Sequence, residues 1–209
     1  MSSAEQTPAA PVPSGGTRPR RRKEQPALSR EQIVAAAVRF LDAEGLEALS
    51  MRKLGGGMGT AATSLYRHVA NKGELIELVV DEVFGEVELP AGAGPEGWRE
   101  ALSHSGHSLR DMVLRHPWVA SVLGRVGLSH PGPNQMRVSE RMLGPARSAG
   151  FPPGEAELAM RAVISYVIGA TTSEAYGPSL LDPARTRAEH FDYGLQRVLD
   201  GLATRINRG

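Results

Sequence analysis

The sequence predicts an all-α protein, a small three-helix unit followed by a larger helical domain, and three observations predict it. Wherever apolar residues recur, they do so at three- and four-residue spacing, as in Ile33, Ala37, Phe40 and Leu41. Helix-start signals punctuate the first third of the chain at Ser29, Ser50 and Asn71. Proline and glycine breaks cut the remainder into further helical segments, around residues 90 to 97, at Pro117, at Gly132-Pro133 and at Gly150-Phe151-Pro152-Pro153.

Ser29 with Gln32 forms a capping box for a first helix, which Gly45 closes in a position suited to a left-handed cap. Ser50 caps a second helix, roughly Met51 to Gly57, that ends in three successive glycines. Each should cost about 1 kcal/mol of helix propensity relative to alanine, so this helix is expected to be soft and held by packing. Gly59 supplies a turn, and Thr60 or Ala61 starts a third helix whose Leu65 and Val69, at i and i+4, face the core. Asn71 with Glu74 caps a fourth, where Leu75, Ile76, Leu78, Val79, Val83 and Phe84 make a broad apolar face suited to linking two domains.

Helix, tight turn, short helix and a capped helix after it is the grammar of a helix-turn-helix DNA reader. Ala62, Thr63, Tyr66 and Arg67 lie on or beside the face that Leu65 and Val69 leave free. Short side chains at its start let the helix sink into a major groove while the tyrosine and arginine reach base edges or phosphates. Charge agrees with this reading. The chain has a formal net charge of +1, yet residues 18 to 72 hold eleven Lys or Arg against five Asp or Glu. A locally basic domain is what phosphate binding through counterion release requires.

Residues 1–27 are rich in Pro, Ser, Gly and Ala and end in Arg18-Pro19-Arg20-Arg21-Arg22-Lys23, the composition of a disordered basic arm. Such an arm follows a minor groove or serves as a solubilising tail. The helix-turn-helix domain, with its linker helix, is expected over 28–88 and the second domain over 89–209.

In that second domain Trp98, Leu102, Leu109, Val113 and His116 share one face of a helix that Pro117 ends. Trp118 to Val126 makes a short helix, and Asn134 to about Ala149 another. Glu155 to about Tyr176 carries a stripe of mostly small residues, Ala159, Ala162, Tyr166, Gly169, Ala170 and Ser173. Phe191, Leu195, Val198, Leu199, Leu202 and Ile206 form a long apolar seam. Both need a partner helix, either another helix of this chain or, as the stripe of small residues favours, the same helices of a second copy.

The order and spacing of Arg52-Lys53-Leu54, Met58-Gly59-Thr60, Leu65-Tyr66-Arg67-His68-Val69 and Asn71-Lys72 resemble the DNA-binding domain of the TetR family of transcriptional repressors. The stretch Arg115-His116-Pro117-Trp118-Val119-Ala120, with Gly132-Pro133-Asn134 after it, resembles the C-terminal domain of the tetracycline-repressor subgroup. The resemblance implies a homodimer that binds palindromic double-stranded operator DNA and is released by a small-molecule effector; the alternative is a helical ligand- or partner-binding dimer without specific DNA recognition. It implies DNA contacts from Arg52, Thr60, Ala61, Ala62, Thr63, Ser64, Tyr66, Arg67, His68 and Lys72, with Lys72 on a phosphate. It also implies an effector site within the helical domain, for which His107, Met112, His116, Trp118, Met136, Met142 and Tyr166 are the candidates. The subgroup holds its drug through magnesium on a histidine of the short helix after residue 117. Here that helix reads Ala120-Ser121-Val122-Leu123-Gly124-Arg125-Val126 and offers none.

Other chemistry is sparse. The chain has no cysteine, so disulfides, thiolate zinc sites and cysteine nucleophiles are excluded. No nucleophile elbow, phosphate loop or His-Glu-x-x-His motif is present, so no enzyme, catalytic residue or cofactor is expected. His104, His107 and Asp111 share a helix face and have metal-ligand types, but a solvated polar face explains them more simply. No apolar run approaches a membrane span and the first residues lack a signal-peptide core, so a cytoplasmic protein is expected.

Overall fold

The computed structural model describes residues 28–90, 94–125, 131–152, 154–176 and 186–206. The expected basic arm over 1–27 lies outside these residues. Among them every regular element is a helix.

The first helix, α1 (Arg30–Glu44), opens on the predicted capping box: the Ser29 hydroxyl accepts from the Gln32 N–H at 3.2 Å, and Gln32 Oε1 accepts from the Ser29 N–H at 3.1 Å. Its end differs in detail from the expectation. Gly45 has φ 78° but ψ 172°, a positive-φ extended conformation rather than a left-handed helical cap, although its N–H still donates to the Leu41 carbonyl at 2.9 Å.

The Ser50 hydroxyl caps α2 (Met51–Gly57) by accepting from the Lys53 N–H. Gly59, at φ 68°, makes the turn. The third helix, α3 (Ala62–Leu65), begins after Ala61 rather than at Thr60 or Ala61 and has no side-chain cap. It is a single turn of helix continued by a tighter turn in which the His68 N–H donates to the Leu65 carbonyl at 2.9 Å. Asn71 caps α4 (Lys72–Phe84) at Glu74, as its sequence predicts.

These four helices bury Ile33, Ala37, Leu41, Leu54, Leu65, Val69, Leu75 and Val79 in one core. The three glycines of α2 prove unequal. A Cβ on Gly55 would stand 2.9 Å from the Thr60 carbonyl oxygen and 3.2 Å from the Ala62 nitrogen, so glycine here lets the turn cross directly over α2. Gly56 and Gly57 face open space, and only these two loosen the helix without any packing return.

A 3₁₀ turn at Pro95–Gly97 leads into the second domain, made of α5 (Trp98–Arg115), α6 (Trp118–Arg125), α7 (Pro133–Ser148), α8 (Glu155–Tyr176) and α9 (Arg187–Ile206). At its centre α5 packs on α7, α8 and α9, burying the predicted stripe of Trp98, Leu102, Leu109 and Val113. The seam on α9 splits. Phe191, Leu195 and Leu199 are buried within the chain itself, which leaves only the half-buried Val198, Leu202 and Ile206 in need of outside cover. The small-residue stripe on α8 splits the same way, with Ala159 buried and Ala162, Gly169 and Ser173 exposed beside Leu158, which is 63% exposed. The surface left for a second copy is therefore narrower than periodicity suggests. α4 packs on α1 on one side and on α7 on the other, which makes it the physical link between the domains.

Candidate nucleic-acid interface

The turn at Gly59 and the buried Leu65 and Val69 decide what faces outward. Tyr66 is 50% exposed, and Ala61, Thr63 and Arg67 are exposed around it, while Thr60, Ala62, Ser64 and His68 are half-buried. Arg52 and Lys53 are exposed at the start of α2. Among the described residues the side chains of Arg39, Arg52, Lys53 and Arg67 have no ion pair or hydrogen bond to the protein. Such cations keep their counterions in solution and can exchange them for phosphates.

Lys72 is placed differently. Its ammonium donates to the Leu49 carbonyl at 2.7 Å, tying the start of α4 to the residue before the cap of α2. This commits one of its three hydrogens to holding the domain together. Arg67 and Ser64 border an open groove of about 1120 Å³ shared with Gln32, Arg39 and Phe40 of α1 and with Met58. Arg67 thus stands on the α1 side of the recognition segment. At the edge of this surface, the exposed carboxyl of Glu31 is held below its ordinary range, first by the Ser29 hydroxyl and to a lesser degree by Arg30 and His68.

The seven effector candidates differ widely in burial. Met112, Met142 and Trp118 are core residues at 0%, 1% and 3% exposure, and Met136 stands outside at 61%. Tyr166 is half-buried, and its hydroxyl donates to the Phe191 carbonyl at 2.7 Å; burial, and then the nearby Asp192 charge, push its ionisation upward. His107 is half-buried, with Nε2 3.2 Å from Asp192 Oδ1. Among the described residues no group of three or more His, Asp or Glu could hold a metal ion, His104, His107 and Asp111 included.

His116 is built into the junction between the domains. Its Nδ1 is 2.7 Å from Asp42 Oδ1 on α1, its Nε2 is 3.1 Å from Glu86 Oε1 just past α4, and the Trp118 indole N–H donates to the same Asp42 oxygen at 2.8 Å. Arg115 adds a second bond to Glu86. Asp42 and Glu86 were invisible to sequence reasoning because their partners lie 74 and 30 residues away, and no local spacing signals such a pair.

A three-helix reader whose outward cations lack protein partners, joined by one shared helix to a helical bundle, defines a DNA-binding regulator with its sensing domain on the same chain. Residues 33–79 match the family model for bacterial regulatory proteins of the tetR family, and residues 89–188 match that for the tetracyclin repressor-like C-terminal domain. The chain belongs to the TetR family of transcriptional regulators, and it is a ligand-responsive DNA-binding regulator. It is 35% identical to the HTH-type transcriptional repressor DrrR1 of Streptomyces coeruleorubidus, over 90% of this chain and 81% of that one. Among solved structures it resembles ActR of Streptomyces coelicolor in complex with (S)-DNPA, with 33% identity, a TM-score of 0.72 and coverage of 84% of this chain and 97% of that chain. It also resembles BioQ bound to its natural double-stranded DNA operator, with 31% identity, a TM-score of 0.69 and coverage of 85% and 99%. Among the described residues no helix is long and apolar enough to cross a membrane.

Proposed function

We propose that this chain is a cytoplasmic homodimeric repressor that reads a palindromic operator through α2 and α3 and leaves it when a small molecule binds the helical domain. The observation that carries this reading is the outward surface of Arg52, Lys53, Thr63, Tyr66 and Arg67, basic and aromatic, with cations that the fold leaves without partners. In this reading the DNA domain spans 28–88 and the effector and dimerisation domain 89–209. Thr60, Ala61, Ala62, Ser64 and His68 complete the contact surface, and Lys72 adds a phosphate contact with the hydrogens that Leu49 leaves free. Two copies pair through the exposed small residues of α8 and the half-buried end of α9, so that two recognition segments meet successive major grooves about 34 Å apart. The operator-bound relative supports the first half of this reading, and the relative holding (S)-DNPA supports the second. No catalytic step is assigned to the chain.

The test is selection of bound duplexes from random DNA by the purified protein near physiological salt, followed by footprinting. A two-fold symmetric sequence protected over both half-sites is the expected result. Recovery of no motif, with only salt-sensitive general binding, would overturn it in favour of a helical dimer that lacks specific recognition.

A further inference from the structure

The N-terminus of α7 lacks a cap of its own. Its N-cap is Gly132, which has no side chain, and its first residue, Pro133, has no N–H. The cap comes from the other domain's linker instead. Asp81, on α4 and 8% exposed, accepts from the Gln135 N–H at 3.0 Å through Oδ1 and faces the Asn134 side-chain amide at 3.4 Å through Oδ2. Gly132 is what lets it in, because a Cβ there would collide with the Asp81 carboxylate.

The reverse contact sits one turn further along α7. Arg137 points its guanidinium at the carbonyls of Phe84, Gly85 and Val87, at 3.3, 3.4 and 3.5 Å, where α4 ends without a basic residue of its own. A carboxylate from α4 thus meets the positive end of α7, and a guanidinium from α7 meets the negative end of α4. The other end of α4 is fixed within the DNA-binding domain by the Arg30–Glu74 ion pair to α1, by Lys72 on the Leu49 carbonyl just before α2, and by the buried Leu75.

We infer that Asp81, Gly132 and Arg137 are positioning residues for operator binding: they lock the tilt of α4 to α7 and so set the separation of the two recognition segments. At about 1.5 Å per residue the thirteen residues of α4 make a lever of about 20 Å, so a tilt of about 10° shifts its far end by about 3.5 Å. That is enough to mismatch two half-sites. The inference rests on the repressor reading, and it names a route by which a change at α7 reaches the DNA.

The experiment compares two duplexes by fluorescence anisotropy, the winner of the wild-type selection and a scrambled duplex of equal length. Asp81→Asn removes the charge but keeps the shape. Gly132→Ala displaces the carboxylate without changing charge, and Arg137→Gln acts at the opposite helix end, so one variant that fails to fold leaves two others to decide. The expected result is a drop of about tenfold in the ratio of selected to scrambled affinity, with scrambled binding changed by less than about twofold. Hydrogen exchange at the Gln135 and Met136 amides should slow when wild-type protein binds the selected duplex and should not slow in Asp81→Asn. A lower melting temperature with an unchanged ratio, or a raised ratio, would overturn the inference and leave the repressor reading intact. Failure of the wild type to select any sequence would overturn both.

Discussion

Among the described residues most arginines of the helical domain are tied to other groups of the protein, whereas most cations of the DNA-reading half are not. In the helical domain Arg99 bonds Asp200 and Gln196, Arg110 bonds Glu174, Arg147 bonds Glu157, and Arg205 bonds Glu155, so these side chains cross-link α5, α7, α8 and α9. Among the described residues of the DNA-reading half, Arg39, Arg52, Lys53 and Arg67 are left unpaired. The paired cations among those residues, Arg30 on Glu74 and Lys72 on Leu49, both hold α4 against its neighbours. Overall charge is therefore a poor guide to a nucleic-acid surface. What distinguishes that surface is a cluster of cations the fold leaves unpaired, where the helical domain leaves only the exposed Arg161 so among the described residues.

Four measurements would break or sharpen this contrast. The largest expected effect is on the most deeply spent arginine. Arg110 and Glu174 are only 12% and 13% exposed, so Arg110→Ala leaves a carboxylate nearly buried and alone and should cost about 3 kcal/mol in a urea titration. A cost no larger than that of a surface pair would mean that the bidentate contact does not form in solution. Next come the unspent cations. Arg67→Ala should cost about 1–3 kcal/mol on the selected duplex with the melting temperature unchanged. Lys53→Gln should weaken all sequences alike and lower the salt slope by about one charge. Equal losses of stability and affinity in both variants would erase the distinction between the two halves.

A smaller effect separates the glycines of α2. Gly56→Ala should stabilise the protein by up to about 1 kcal/mol, since the new methyl meets nothing, whereas Gly55→Ala should destabilise it by pressing on the turn. Thermal unfolding of the two single variants gives the signs. The smallest effect is expected at Arg205, an exposed partner whose hydrogen bond holds the Glu155 carboxyl below its ordinary range. A carboxyl so lowered contributes above its unfolded range and loses that contribution as pH falls through the folded one. Arg205→Gln should thus leave the melting temperature nearly unchanged at neutral pH, and any difference from wild type should vanish on acidification.

Much of the first half was legible because its signals are local. Ser29, Ser50 and Asn71 cap within three residues of themselves, and Leu65 and Val69 are one helical turn apart. Spacing along the chain reports such interactions directly. The softness expected of α2 was half misread, since spacing shows a helix rich in glycine but not the turn passing over Gly55. In the second half the helices were legible but their partners were not. Phe191, Leu195 and Leu199 looked like one seam with Val198, Leu202 and Ile206, yet the chain covers the first three itself. His116 and Trp118 fitted a pocket by residue type, and nothing in their spacing signalled the bonds to Asp42 and Glu86 at the domain junction.

The sequence by itself determined that the chain is helical, where its first four helices start, that its first part is basic, and to which family it is similar, because propensity, capping and motif spacing all act within a few residues. Tertiary structure alone decided which cations stay free, which apolar residues the chain buries for itself, and that Asp81 caps a helix more than fifty residues away. Those outcomes depend on distances between segments that the chain connects only through long detours. Pairing energies that fall off within a few ångströms cannot be read until the fold has set those distances.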